Sequence, residues 1–151
     1  KMSSFIGDYT VKIDAKSRIV MPASFKRALE EMGQDRLVVK KDIFEDCLVL
    51  LPYSVWERQM EELRQKLNVY NREHAQLLRE FQKNMAELTL DANGRFLLPK
   101  RLVDMANIEK DVTLLGMDLQ IELWNSELYA QQSKAISSDA LAQMAQTILG
   151  H

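Results

Sequence analysis

The sequence predicts an α+β fold in which one β-rich module occurs twice, with a helical hairpin between the copies and a helical tail after the second. Three observations carry this expectation. The chain aligns with itself at an offset of 77 residues: Ile13-Asp14-Ala15-Lys16-Ser17-Arg18-Ile19-Val20-Met21-Pro22 lies over Leu90-Asp91-Ala92-Asn93-Gly94-Arg95-Phe96-Leu97-Leu98-Pro99, with Asp, Ala, Arg and Pro in register. Downstream, Leu48-Val49-Leu50-Leu51 lies over Ile121-Glu122-Leu123-Trp124 at an offset of 73, and each is followed by a polar helix-start segment. Between the copies the apolar residues fall at helical spacing instead. With 151 residues the chain suits two halves that share one core, and it is too short for two ordinary domains with private cores. The expected organisation is a first module over 5–53, a helical hairpin over 54–86, a second module over 87–136 and a tail over 137–151.

Each copy opens on a short strand, Thr10 to Ile13 or Glu87 to Leu90, with apolar or β-branched residues in partial alternation. A polar turn follows. Asp14 and Asp91 suit its first position because a short carboxylate bonds nearby backbone amides. Gly94 accommodates a left-handed conformation at no steric cost, whereas Ser17 in the same place does not, so the two loops are expected to differ. Arg18 and Arg95 come four residues after the acids, close enough for an ion pair to brace the loop. A second strand then runs to Pro22 or Pro99, residues suited to the first turn of a helix. Phe25, Ala28, Leu29 and Met32, and in the second copy Leu102, Val103 and Ala106, continue at helical spacing. A hairpin closes each module, Leu37 to Val39 with Leu48 to Leu51, or Val112 to Leu115 with Ile121 to Trp124.

The intervening stretch begins with Ser54-Val55-Trp56-Glu57, a capping-box pattern, followed by Trp56, Met60, Leu63 and Leu67 along one stripe. Asn68 to Asn71 interrupts the stripe, and Asn71 can cap a second helix bearing Ala75, Leu78, Phe81, Met85 and Leu88. The tail, Ser137 to Leu149, carries Leu141, Met144 and Ile148 and reads as a peripheral helix.

Composition narrows the function. Apolar residues make up 46% and charged residues 28%, which marks a folding chain rather than a disordered one. The formal net charge of −2 supplies no overall field toward nucleic acid or anionic lipid, so such a partner requires a local patch. No apolar run approaches the length of a bilayer span, and Lys1 to Thr10 lacks a secretory-signal pattern, so a cytoplasmic location without a membrane partner is expected. The lone Cys47, inside an apolar stretch, suits a buried thiol in a reducing compartment. His74 lies in a charged helix and His151 is terminal, so neither completes a Ser/His/Asp or Cys/His arrangement. The five glycines never approach a phosphate-cradle spacing, and no Cys/His cluster suggests zinc. No catalytic residue, cofactor or metal is expected.

Local charge points to an anionic partner. Between Thr10 and Leu29 stand Lys12, Lys16, Arg18, Lys26 and Arg27 against the single acid Asp14. A basic run alone is more often a solvated face. Here, however, Lys16 with Arg18 and Asn93 with Arg95 occupy the same places on equivalent loops.

Those repeated decapeptides, with Phe25, Arg27, the opening Phe5-Ile6-Gly7 and the interposed helical hairpin, resemble the MraZ family over nearly the whole chain. The resemblance implies two AbrB-like swapped-hairpin β modules that form a pseudo-twofold barrel, each with one Asp-x-x-x-Arg motif. Ser17 departs from the glycine usual in the first motif. The resemblance further implies a nucleoid-associated transcription regulator, usually a repressor, that binds short direct repeats before the division and cell-wall gene cluster and assembles into rings of subunits. On that basis Lys16, Arg18, Asn93 and Arg95 are the expected contacts to double-stranded DNA, Asp14 and Asp91 brace the loops, and Lys12, Lys26 and Arg27 are candidates for phosphate. The competing expectation is an oligomeric protein-interaction scaffold whose basic loops serve only as turns.

Overall fold

The computed structural model describes residues 3–150, so Lys1, Met2 and the terminal His151 lie outside the described residues. Two rounds of the same element order are present. The first is β1 (Asp8–Lys12), β2 (Arg18–Val20), α1 (Ala23–Met32), β3 (Arg36–Lys41), β4 (Leu48–Pro52) and α2 (Tyr53–Lys66). After α3 (Arg72–Lys83) the order repeats as β5 (Met85–Thr89), β6 (Arg95–Leu97), α4 (Lys100–Met105), β7 (Asp111–Met117), β8 (Gln120–Asn125) and α5 (Ser126–Ala135), with α6 (Ser138–Leu149) as the tail.

The halves are not independent. Six strands form one antiparallel sheet in the order β1-β7-β8-β4-β3-β5. The first strand of each half therefore pairs with the third strand of the other half, β1 with β7 and β5 with β3. The centre is the β4–β8 pair, where Leu48 and Leu50 stand opposite Leu123 and Ile121. The expected barrel is not closed: β1 and β5 remain the two edges of this sheet, and β2 and β6 pair separately as a two-stranded ribbon.

That ribbon caps the core. Ile19 and Phe96 point inward and are fully or almost fully buried, joining Phe25 and Leu29 of α1, Leu102 of α4, and Leu37, Val39, Val112 and Leu114 of the sheet. The core thus draws equally on both halves, as a hydrophobic effect proportional to buried apolar area favours when neither half has enough of its own. Strand β4 is buried along its length. Its Val49 and Leu51 pack with Val55 of α2 in a second cluster on the opposite face.

All three prolines stand at helix N-caps: Pro22 before α1, Pro52 before α2 and Pro99 before α4. The capping box expected at Ser54 does not form, because β4 passes directly into α2 at Pro52 and Ser54 already lies inside the first turn. Asn71 does cap α3, its side chain accepting from the amides of Glu73 and His74. His74 Nδ1 accepts from the Asn68 amide at 2.9 Å, so the histidine holds the turn of the helical hairpin. Helices α3, α5 and α6 bury no residue completely.

Candidate nucleic-acid interface

The two Asp-x-x-x-Arg loops are built by short-range bonds. In the first, Asp14 Oδ1 accepts from the amides of Lys16 at 2.9 Å and Arg18 at 2.8 Å, while Asp14 Oδ2 accepts from Arg18 Nε at 2.8 Å. In the second, Asp91 Oδ1 accepts from the amides of Asn93 at 2.8 Å and Arg95 at 2.9 Å, while Oδ2 accepts from Arg95 Nε at 3.0 Å. The backbone repeats as well, with the Ser17 and Gly94 amides donating to the Asp14 and Asp91 carbonyls. Ser17 takes φ +63° and Gly94 φ +74°, so the difference expected between the loops is absent: serine is held in the left-handed conformation that glycine adopts freely.

These bonds favour ionised carboxylates. The Arg18 backbone amide, with lesser help from its guanidinium and the Lys16 amide, holds the Asp14 carboxyl below its ordinary value. The amides of Arg95 and Asn93, followed by the Arg95 side chain, do the same for Asp91. Each arginine spends Nε on its brace, and its two terminal nitrogens have no hydrogen-bond partner among the described residues. The free edge of a guanidinium is the fork that matches guanine O6 and N7, or two phosphate oxygens.

The ribbon sets the two arginines relative to each other. Its register places Arg18 opposite Leu97, Ile19 opposite Phe96 and Val20 opposite Arg95. Side chains alternate between faces, so Arg18, Val20, Arg95 and Leu97 share the outer face while Ile19 and Phe96 share the inner one. Exposure agrees: Val20 is 56% and Leu97 57% exposed, against 0% for Ile19 and 1% for Phe96. Diagonal neighbours on such a ribbon have Cα atoms about 7–8 Å apart. The strands continue into each other's loops, since the Met21 amide donates to the Gly94 carbonyl and the Leu98 amide to the Ser17 carbonyl, both at 2.9 Å.

The other expected contacts fall differently. Lys16 and Asn93 project from the loop tips into solvent. Lys26, on the first copy's helix, lies beside the second copy's loop, its alkyl chain and Nζ placed where a side chain at Gly94 would touch them. Arg27 is exposed on α1. Lys12 is paired across β1 and β7 with Asp111 at 2.7 Å, which leaves it less available to phosphate. In the second copy, Lys100 pairs with Asp104 at 3.4 Å and Arg101 binds Asn84 at 2.9 Å, so both are drawn away from the loop. Two outward residues were not singled out from sequence, Val20 and Leu97. Applying the two-residue period from Arg18 to Met21 would have found them, because it assigns Val20 to the arginine's face.

Cys47 is buried, and burial pushes its thiol up to about 12, away from a reactive thiolate. Among the described residues no group of three or more His, Cys, Asp or Glu side chains is placed to hold a metal ion, and no helix is long and apolar enough to cross a membrane.

The fold thus defines a duplicated α+β chain that carries two equivalent acid-braced arginine loops on one ribbon. The family model described as "MraZ protein, putative antitoxin-like" matches residues 4–80 and 82–150, and the chain belongs to the MraZ family. It is 43% identical over 126 residues to "Transcriptional regulator MraZ" of Bacteroides fragilis, covering 83% of this chain and 80% of that protein. It is 45% identical over 124 residues to the protein of the same name from Phocaeicola vulgatus, covering 82% and 80% of the two chains. The like-named protein of Christiangramia forsetii is 35% identical over 150 residues, covering 99% and 96%.

Proposed function

We propose that this chain is a sequence-specific DNA-binding transcriptional regulator that lays the β2–β6 ribbon and its loops into the major groove of double-stranded DNA. One observation carries the reading: Arg18 and Arg95 leave the same exposed ribbon face, each braced through Nε by an aspartate and each with its terminal nitrogens free. A major groove about 12 Å wide admits a two-stranded ribbon. Arg18 and Arg95 are assigned to base edges and Lys16 and Asn93 to the flanking backbone or bases. Lys26 and Arg27 go to phosphate, with Lys12 a weaker candidate because of Asp111. Asp14 and Asp91 keep the arginines aimed. The names of the relatives support the same reading.

The finer form of the proposal is repression from short direct repeats ahead of the division and cell-wall gene cluster, by a ring-like homo-oligomer bound to the nucleoid in the cytoplasm. One chain with a net charge of −2 brings few cations to the groove, so several protomers on successive repeats would supply affinity by raising effective concentration. Architecturally the reading takes 5–53 and 87–136 as AbrB-like swapped-hairpin modules around the hairpin 54–86, with the tail 137–151. The exchange of β1 and β5 between the halves favours it.

The test is recovery of genomic fragments bound by the protein, followed by mobility-shift titration across salt concentration. Evenly spaced repeats in the fragments and a log–log salt slope near −0.9 for each phosphate neutralised are expected. Salt-insensitive association, or recovery of random fragments, would overturn the reading in favour of a protein scaffold.

A further inference from the structure

The outer ribbon face combines two arginines with two large aliphatic side chains that have no place in the core. Val20 and Leu97 are more than half exposed, and they are equivalent across the repeat. Each stands directly opposite the arginine of the other strand: Val20 faces Arg95, and Leu97 faces Arg18. Exposed aliphatics on a cationic ribbon lose little by desolvation and gain wherever the opposing surface offers a methyl group. The major groove has one such group, the thymine 5-methyl, which lies in the same groove as guanine O6 and N7.

We infer that Val20 and Leu97 read thymine methyl groups beside the bases taken by Arg95 and Arg18. The inference rests on the DNA-binding reading above and adds a specificity element to it. Residues opposite each other in an antiparallel pair have Cα atoms about 4.5–5.5 Å apart, and successive bases are about 3.4 Å apart along the duplex. Each aliphatic residue therefore falls one to two base steps from its arginine's contact. A second copy of the chain is a poor occupant of this face. A face-to-face contact would gather four guanidiniums of like charge, with the neighbouring aspartates already committed to their own loops.

The test uses a duplex selected from a random-sequence pool by the wild-type protein and then remade with deoxyuridine in place of every thymidine. This removes the methyl groups while keeping base pairing and phosphate charge. Wild-type affinity is expected to fall about fourfold for each methyl contacted, the equivalent of one buried methylene. The Val20→Ala/Leu97→Ala double variant is expected to bind both duplexes equally while keeping the wild-type salt slope. Equal wild-type binding to the two duplexes overturns the inference and leaves the DNA-binding reading standing. A variant that keeps the wild-type preference also overturns it, since the methyl effect then acts through duplex shape. Absence of salt-sensitive binding to either duplex overturns both.

Discussion

Arg18 and Leu97 stand directly opposite each other on the β2–β6 ribbon, and the repeat makes the same true of Arg95 and Val20. Each arginine thus originates in one half of the chain and is flanked by a side chain from the other. The two loops form one surface, which neither half presents alone.

If these arginines read bases, Arg18→Ala and Arg95→Ala should each weaken DNA binding by about 1–3 kcal/mol per engaged site and relax sequence preference. Lysine should not restore it, because an ammonium cannot donate to its aspartate and a guanine edge in the same planar geometry. Mobility shifts with the selected fragment and with an unrelated one separate the outcomes. A loss equal on both would show a phosphate contact instead.

Asp14 and Asp91 titrate below the ordinary carboxyl value of 3.8 in the folded chain, so the native state binds fewer protons than the unfolded state around that pH. Their contribution is complete above the ordinary value and is lost as pH falls through the lower folded-state values. Melting measured from about pH 5 to about pH 2 should therefore fall more steeply for the wild type than for Asp14→Asn/Asp91→Asn. Glu87, lowered chiefly by its hydrogen bond to Arg36, contributes equally to both proteins. Parallel curves would show that the braces have no thermodynamic linkage to folding.

Ser17 is held at φ +63°, where an L-residue is disfavoured by about 1–2 kcal/mol relative to glycine. Glycine returns about 0.5–1 kcal/mol of this as unfolded-state entropy. Ser17→Gly should consequently raise stability by up to about 1.5 kcal/mol, and Gly94→Ser should lower it by a similar amount. Urea midpoints check both signs, and a destabilised Ser17→Gly would mean that the serine side chain makes a compensating bond.

Gly116 is required by close approach. A Cβ there would collide with the Phe5 carbonyl oxygen, in the segment where the Gly116 amide donates to the Gly7 carbonyl and Phe5 pairs with Asp118. Gly116→Ala should cost about 1–3 kcal/mol and expose the chain before β1 to protease, as overpacking forces that backbone away. Gly33→Ala meets nothing within 4 Å; its left-handed φ of +68° makes it cost about 1–2 kcal/mol at the end of α1, but it should leave the protease pattern before β1 unchanged.

The parts of this protein legible in the sequence are those whose bonds close locally. Asp14 and Arg18, or Asp91 and Arg95, are four residues apart, and both braces form where the spacing places them. Asn71 capping α3 is equally local. The expectations that failed depended on what surrounds a residue. Ser54 lost its cap because β4 continues to Pro52 before the helix begins. Ser17 takes glycine's conformation because its loop is tied to the other half through the Leu98 amide. The side chain of Lys26, on α1 of the first half, lies beside Gly94 of the second loop, a proximity across the repeat that no spacing announces.

The sequence by itself determined that the chain is built twice, where each loop turns and which acid holds which arginine, because hydrogen bonds over four residues need only the right side chains at the right separation. Tertiary structure alone decided that β1 and β5 change partners, that the ribbon stands apart from an open sheet, and that Arg18, Val20, Arg95 and Leu97 face outward together. The physical reason is burial. Ile19 and Phe96 must both enter the shared core, and a strand that slips by one residue turns every side chain to the opposite face. The apolar pair on the inside thereby fixes the direction of the charged pair on the outside.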